Sequence, residues 1–121
     1  MAKPVPYEFV FDYLPPGIIV KKMFGMHYIY LSNRIMLILR KQDNMPEMNG
    51  VWIATHKEHH QSLKKNIPEL GPFFINNDER HGNWLLLHPN AEDFEEAAIK
   101  VCEMISHGDP RIGNLTEKAP V

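Results

Sequence analysis

The chain has a single cysteine, Cys102, so it cannot close an internal disulfide, and that suits a reducing cytoplasm. It has no long apolar run. Its first twenty residues are broken by Pro4, Pro6, Pro15 and Pro16 and carry Glu8 and Asp12, so no signal peptide or membrane span is read there. No Gly-x-x-x-x-Gly-Lys or Gly-x-Gly-x-x-Gly loop is present to cradle a phosphate, and the seven glycines are scattered. The three serines, Ser32, Ser62 and Ser106, lie in no nucleophile elbow, and the zinc-protease spacing His-Glu-x-x-His is missing. A formal net charge of −2 leaves no overall footprint for nucleic acid. Together these absences remove the commonest hydrolase, nucleotide-binding and membrane readings.

What is present is enough for one ordinary core. The chain has 121 residues, 44% of them hydrophobic, which points to a single domain that buries roughly two thirds of its unfolded surface. Charge is uneven along it. Residues 1–65 carry nine Lys and Arg against five Asp and Glu, whereas residues 66–121 carry four against ten. An acidic C-terminal helix accounts for most of that asymmetry, with a basic edge facing an acidic partner as the alternative.

The local patterns give an element order. Pro6 to Leu14 reads as a short helix stopped by Pro15-Pro16-Gly17. Three β-rich runs follow, Ile18–Phe24, Met26–Leu31 and Arg34–Lys41, with Ser32-Asn33 as a tight hairpin link between the last two. Residues 42–50 form a polar loop, and Val51–Ala54 a fourth strand. Thr55-His56-Lys57-Glu58 matches a capping box, which predicts a helix from Thr55 to about Asn66. A second long loop covers residues 71–83, and Trp84–His88 is a fifth strand. The final helix is expected from Asn90 as cap, with Glu92 and Asp93 in its first turn. Phe94, Ala97, Ala98, Val101, Cys102 and Ile105 form one apolar stripe, and Gly108 closes it. The expected domain covers residues 1–108; beyond Asp109-Pro110, residues 109–121 are expected to be an irregular tail that adds little core. Hairpin-type connections imply an α+β, two-layer fold: a mainly antiparallel five-stranded sheet with helices packed on one face.

The strand faces raise a question about the other side of that sheet. Tyr28 and Tyr30 point one way along their strand, His27, Ile29 and Leu31 the other. Strict alternation in the next strand sets Ile35, Leu37 and Leu39 against Met36 and Ile38, both sets apolar. Trp52 and Trp84 lie on strands whose opposite faces are also hydrophobic. A sheet with one wet face normally alternates cleanly, so the second face needs a cover. The cover is a second copy of the chain, another partner, or the chain's own loops around Phe73-Phe74, with a homodimer the leading expectation. Tyr28, Tyr30, Trp52 and Trp84 are the candidate interface residues.

No catalytic, cofactor-binding or metal-binding residue is assigned. His56 and His60 are four apart on the predicted second helix, the spacing of a helical metal pair, but no third ligand is evident nearby and Leu63 and Ile67 continue the same stripe. Cys102 sits on an apolar stripe as a small hydrophobe. Glu92, Asp93, Glu95 and Glu96 form a solvated helix face. Lys21, Lys22, Arg34, Arg40 and Lys41 beside Tyr28 and Tyr30 give nucleic-acid binding only a weak basis.

Val20-Lys21-Lys22-Met23-Phe24-Gly25, followed by Tyr28-Ile29-Tyr30-Leu31 and then Arg34-Ile35-Met36-Leu37-Ile38-Leu39, resembles the N-terminal domain of the TfoX (Sxy) family. The resemblance is strongest over residues 7–40 and extends more weakly to about residue 106, where the YjbR-like fold is a neighbour for Trp52 to Ile105. It implies a small cytoplasmic α+β domain with an antiparallel sheet, no established catalytic residues, and a regulatory role. Met23 and Phe24 would be core residues, and Gly25 a backbone break or bulge. Met26 stands where a second glycine often follows, and the chain stops before the C-terminal domain of full TfoX proteins. The expectation is thus a non-enzymatic protein-interaction domain, cytoplasmic and homodimeric. The alternative is a small-molecule or metal-binding module using the aromatic face or the His56/His60 pair.

Overall fold

The computed structural model describes residues 5–72 and 84–115. A short 3-10 helix, Glu8–Asp12, opens the fold where a longer helix was expected over Pro6 to Leu14. It lowers Val10 into the core. Strands β1 (Ile19–Met23), β2 (Met26–Leu31) and β3 (Arg34–Arg40) then form a meander. A second 3-10 helix, Pro46–Met48, leads to β4 (Gly50–Ala54) and α1 (Lys57–Asn66). After the two-residue β5 (Gly71–Pro72) come β6 (Trp84–Leu87), α2 (Phe94–Ser106) and the two-residue β7 (Asn114–Leu115).

The sheet order is β1-β2-β3-β4-β6-β5, and every pairing is antiparallel. The five longer strands are the expected five-stranded sheet, and the fold is α+β. One face packs against the helices: Ile29, Leu37, Leu39, Val51, Ile53, Leu85 and Leu87 meet Val10, Leu63 and the α2 stripe of Ala97, Ala98, Val101, Cys102 and Ile105. At roughly 25 cal/mol per Å² of apolar surface removed from water, this layer dominates the stability of the fold.

Strict alternation fails in β3. Ile29 pairs Leu37 while Tyr30 pairs Ile35, so Met36 is an extra residue, a β-bulge. The bulge turns Met36 to the helix side with Leu37 and Leu39, and puts Ile35 on the opposite face with Ile38. The alternation expected from sequence therefore holds from Leu37 onward and is reversed before it.

Three further expectations are corrected. The capping box does not form: Thr55 is fully buried, its hydroxyl donates to the Arg111 carbonyl oxygen over 2.6 Å, and α1 starts after an extended His56. The last helix starts after Asp93, which makes no side-chain cap hydrogen bond, and not at Asn90, so Glu95 and Glu96 take the first turn. The segment after Asp109-Pro110 is not an irregular tail as far as Leu115. Ile112 is 4% exposed in the main core, and the Gly113 amide donates to the Ala54 carbonyl. Asn114 then pairs Ile35. β7 takes the same edge of β3 as β4 does, on the far side of the bulge. Arg111 anchors this segment to α1 by donating to Asn66 Oδ1 over 2.8 Å, and it forms an ion pair with Asp109 at 2.7 Å.

Candidate interaction surface

The second sheet face carries all four candidate interface residues. The pairings align a row across it: Lys21 opposite Tyr28, Tyr28 opposite Ile38, Ile38 opposite Trp52, Trp52 opposite Leu86. Tyr30 lies beside Ile19 and Ile35, and Trp84 sits across from Ala54. Trp52 and Trp84 meet edge-to-face with ring centroids 6.4 Å apart.

Most of this face is dry within one chain. Tyr30 retains 8% of its surface and Trp52 7%, while Tyr28 and Trp84 are half-buried. Burial pushes both tyrosine hydroxyls above their ordinary pKa; for Tyr28 the neighbouring Tyr30 adds to the effect. Part of the cover comes from the loop before β4. Met48 is 1% exposed against this face, and its carbonyl oxygen accepts the Trp52 indole N–H over 2.8 Å. Phe73-Phe74, the other expected cover, lie outside the described residues.

Arg40 organises that loop. Its buried guanidinium donates to the carbonyl oxygens of Met45 and Asn44, each at 2.8 Å, and to Asn49 Oδ1 at 2.7 Å. Asn49 in turn accepts the Gln42 amide and donates to the Gln42 carbonyl. The charge is held by neutral acceptors, an arrangement that fixes loop shape.

The open surface is at the other end of the sheet. β1 is the outermost strand, pairs only with β2 among the described residues, and has no buried residue. Ile19 and Val20 are about two-fifths exposed, and Lys21 and Lys22 are exposed. At its end the chain reverses through Phe24-Gly25, whose φ angles of +53° and +74° suit a two-residue type I′ hairpin. Phe24 is 83% exposed. The expected core position for Phe24 is thus overturned, Met23 is only half-buried, and Gly25 is the expected backbone break in the form of a turn, with no bulge. Such turns favour Asn or Asp at the first position, because a bulky residue at positive φ is strained. The Gln42 side-chain amide braces the turn by donating to the Phe24 carbonyl over 3.0 Å.

Two clefts flank the first 3-10 helix. One, about 550 Å³, is bordered by Lys22, Gly25, His27 and Lys41 together with Glu8 and Asp43. His27 is 9% exposed and its Nδ1 has no hydrogen-bond partner; burial first, then the Lys22 charge, holds its pKa below the ordinary value. The second cleft, about 620 Å³, opens beside three clustered rings: Tyr7 and Phe94 at 5.3 Å, and Phe9 and Phe94 at 6.2 Å, both pairs edge-to-face. Pro89, Asp93, Glu95 and Glu96 complete its border.

The histidine pair is not a helical pair. His56 lies outside α1 in extended backbone and is exposed, whereas His60 is inside the helix and half-buried. Among the described residues no three His, Cys, Asp or Glu side chains come together in a way that holds a metal ion. Cys102 is fully buried, and its thiol is pushed up to about 12 by burial, with Glu103 adding to the shift.

Comparison of the chain with protein-family models, with curated proteins and with solved structures gives no match. Sequence reasoning missed Phe24, Ile19 and Val20 as surface residues. The available signal was the two-residue spacing between β1 and β2, the same spacing that identified Ser32-Asn33 as a turn. It also missed the ring cluster of Tyr7, Phe9 and Phe94, which joins residues nearly ninety positions apart.

Proposed function

We propose that this chain is a non-enzymatic protein-interaction domain of the TfoX N-terminal type, acting in a cytoplasmic regulatory complex. The observation that carries the reading is β1, an outer strand with no buried residue that ends in the exposed Phe24. An unpaired outer edge is a template for added backbone pairing, and solitary domains normally blunt such edges with charge. Lys21 and Lys22 give that protection against indiscriminate pairing, while Ile19, Val20 and Phe24 keep apolar surface available. The interface moves accordingly from the middle of the aromatic face, where Tyr30 and Trp52 are buried, to the rim beside Tyr28. No helix among the described residues is long and apolar enough to cross a membrane.

A photo-crosslinking residue placed at Val20, compared with one at the exposed Lys64 on α1, tests this. Protein adducts specific to position 20 are expected, whether with another copy or with a different protein. Equal patterns from both positions, or no adduct from position 20, remove the reading.

A further inference from the structure

The hairpin tip and the ring-lined cleft are complementary in shape and in charge. The tip offers one solvent-exposed phenyl ring, Phe24, just past Lys21 and Lys22, which lie on opposite faces of the strand that leads to it. Lys22 and Lys41 border the cleft under the tip, balanced there by Glu8 and Asp43, while Lys21 is exposed on the other face of the strand. The ring-lined cleft is bordered by Tyr7, Phe9 and Phe94 together with Asp93, Glu95 and Glu96, with no Lys or Arg among its bordering residues. Within one chain the two do not meet, because Phe24 is 83% exposed.

We propose that the occupant of this cleft is Phe24 of a second copy of the chain, with Lys21 and Lys22 set against its carboxylates. The proposal rests on the interaction-domain reading and names its partner and its contact. Three observations favour a second copy over other occupants. The cleft's lining, three aromatic rings with three carboxylates, is what a ring carried on a lysine-bearing strand needs. Edge-to-edge pairing of two β1 strands is disfavoured, since an antiparallel pairing that uses the whole strand sets Lys21 opposite the other copy's Lys21. Tyr7 borders both clefts, so tip and receptor are neighbours in the fold, as a reciprocal exchange of tips between two copies requires. Reciprocal exchange closes a two-fold dimer and leaves no unsatisfied tip. The strained φ of Phe24 fits the same account: a residue that is poor for the turn is kept for its contact.

Sedimentation velocity over a concentration series at two salt concentrations is the test. Self-association is expected in the intact protein, weakened by salt because the charges in contact are exposed. Phe24→Asn, which suits the turn, is expected to raise the dissociation constant about tenfold or more. Lys21→Glu/Lys22→Glu and Glu95→Lys/Glu96→Lys are each expected to weaken self-association, and mixing the two charge-reversed proteins to restore a one-to-one complex. A monomer at all concentrations, a dimer indifferent to Phe24→Asn, or charge-reversed proteins that do not pair would overturn the proposal. So would Phe24-dependent binding to anionic phospholipid vesicles by a monomeric chain. Position-20 adducts with a different protein, from a chain that stays monomeric, would sink self-docking alone and leave the interaction-domain reading intact.

Discussion

The hydroxyl of Thr55 donates to the carbonyl oxygen of Arg111 over 2.6 Å, joining the end of β4 to a segment fifty-six residues later. Thr55 is fully buried. Thr55→Val keeps the shape and removes the donor, so the Arg111 carbonyl is left unsatisfied. The expected loss is about 1 to 3 kcal/mol in urea unfolding. Thr55→Ser should recover part of it, because the hydroxyl returns.

Arg40→Met should cost about 1 to 3 kcal/mol, since the Asn44 carbonyl loses its donor and the Met45 carbonyl and Asn49 Oδ1 each lose one of two. The damage should be local first. Hydrogen exchange is expected to accelerate over residues 42–49, and tryptophan emission to shift to the red as Met48 loosens over Trp52. Unchanged exchange in that loop would argue against the organising role.

Phe24→Asn should stabilise the monomer by about 1 kcal/mol, because Asn accepts positive φ at lower cost than Phe. A higher Tm together with weaker self-association is the combined expectation. A lower Tm would show that the ring contributes to the fold of the isolated chain.

Stability should depend on pH through two groups acting in different windows. His27 has a folded pKa below its ordinary 6.5, so the unfolded chain binds the proton more readily. Its contribution is complete above 6.5 and is lost as pH falls through the folded value. Asp109 is held below its ordinary 3.8, chiefly by the hydrogen bond from Arg111, so its stabilising effect fades only below that pH. His27→Gln should flatten the first decline and leave the second. Denaturant midpoints measured from pH 8 to pH 3 would separate them.

Cys102 should resist thiol reagents in the native state, because burial both shields it and keeps the thiolate unpopulated at neutral pH. Full reaction is expected only in denaturant. Rapid labelling of the folded chain would show that α2 opens readily.

Much of the fold was legible in the sequence because it follows from short-range patterns. The stripe on α2 and the Ser32-Asn33 turn needed only local spacing, and the five longer strands were found within a residue or two of their ends. The failures share a cause: long-range contacts won over local preference. Thr55 was read as a cap from its spacing to Glu58, yet its hydroxyl is taken by Arg111. The face assignment of Ile35 and Met36 failed because a bulge adds a residue that alternation cannot register. For the surface, the four candidate aromatics did converge, but the loop held by Arg40 had already covered part of them. The core position expected for Phe24 came only from the family resemblance, which does not register the turn geometry of this chain. A two-residue link between paired strands leaves its first side chain in solvent regardless of its type.

The shared edge of β3 sets the order in which the sheet can be completed. β4 occupies that edge from Leu37 to Arg40, and β7 supplies Arg34 and Ile35 from nearly the end of the described chain. During synthesis the meander and β4 emerge early, while a gap persists at the centre of the sheet until residues 114–115 arrive. The last stitch is therefore made in the interior of the sheet and not at a rim. Until then the backbone of Arg34 and Ile35 is open to pairing with other chains, a window in which a nascent copy is most exposed to misassembly.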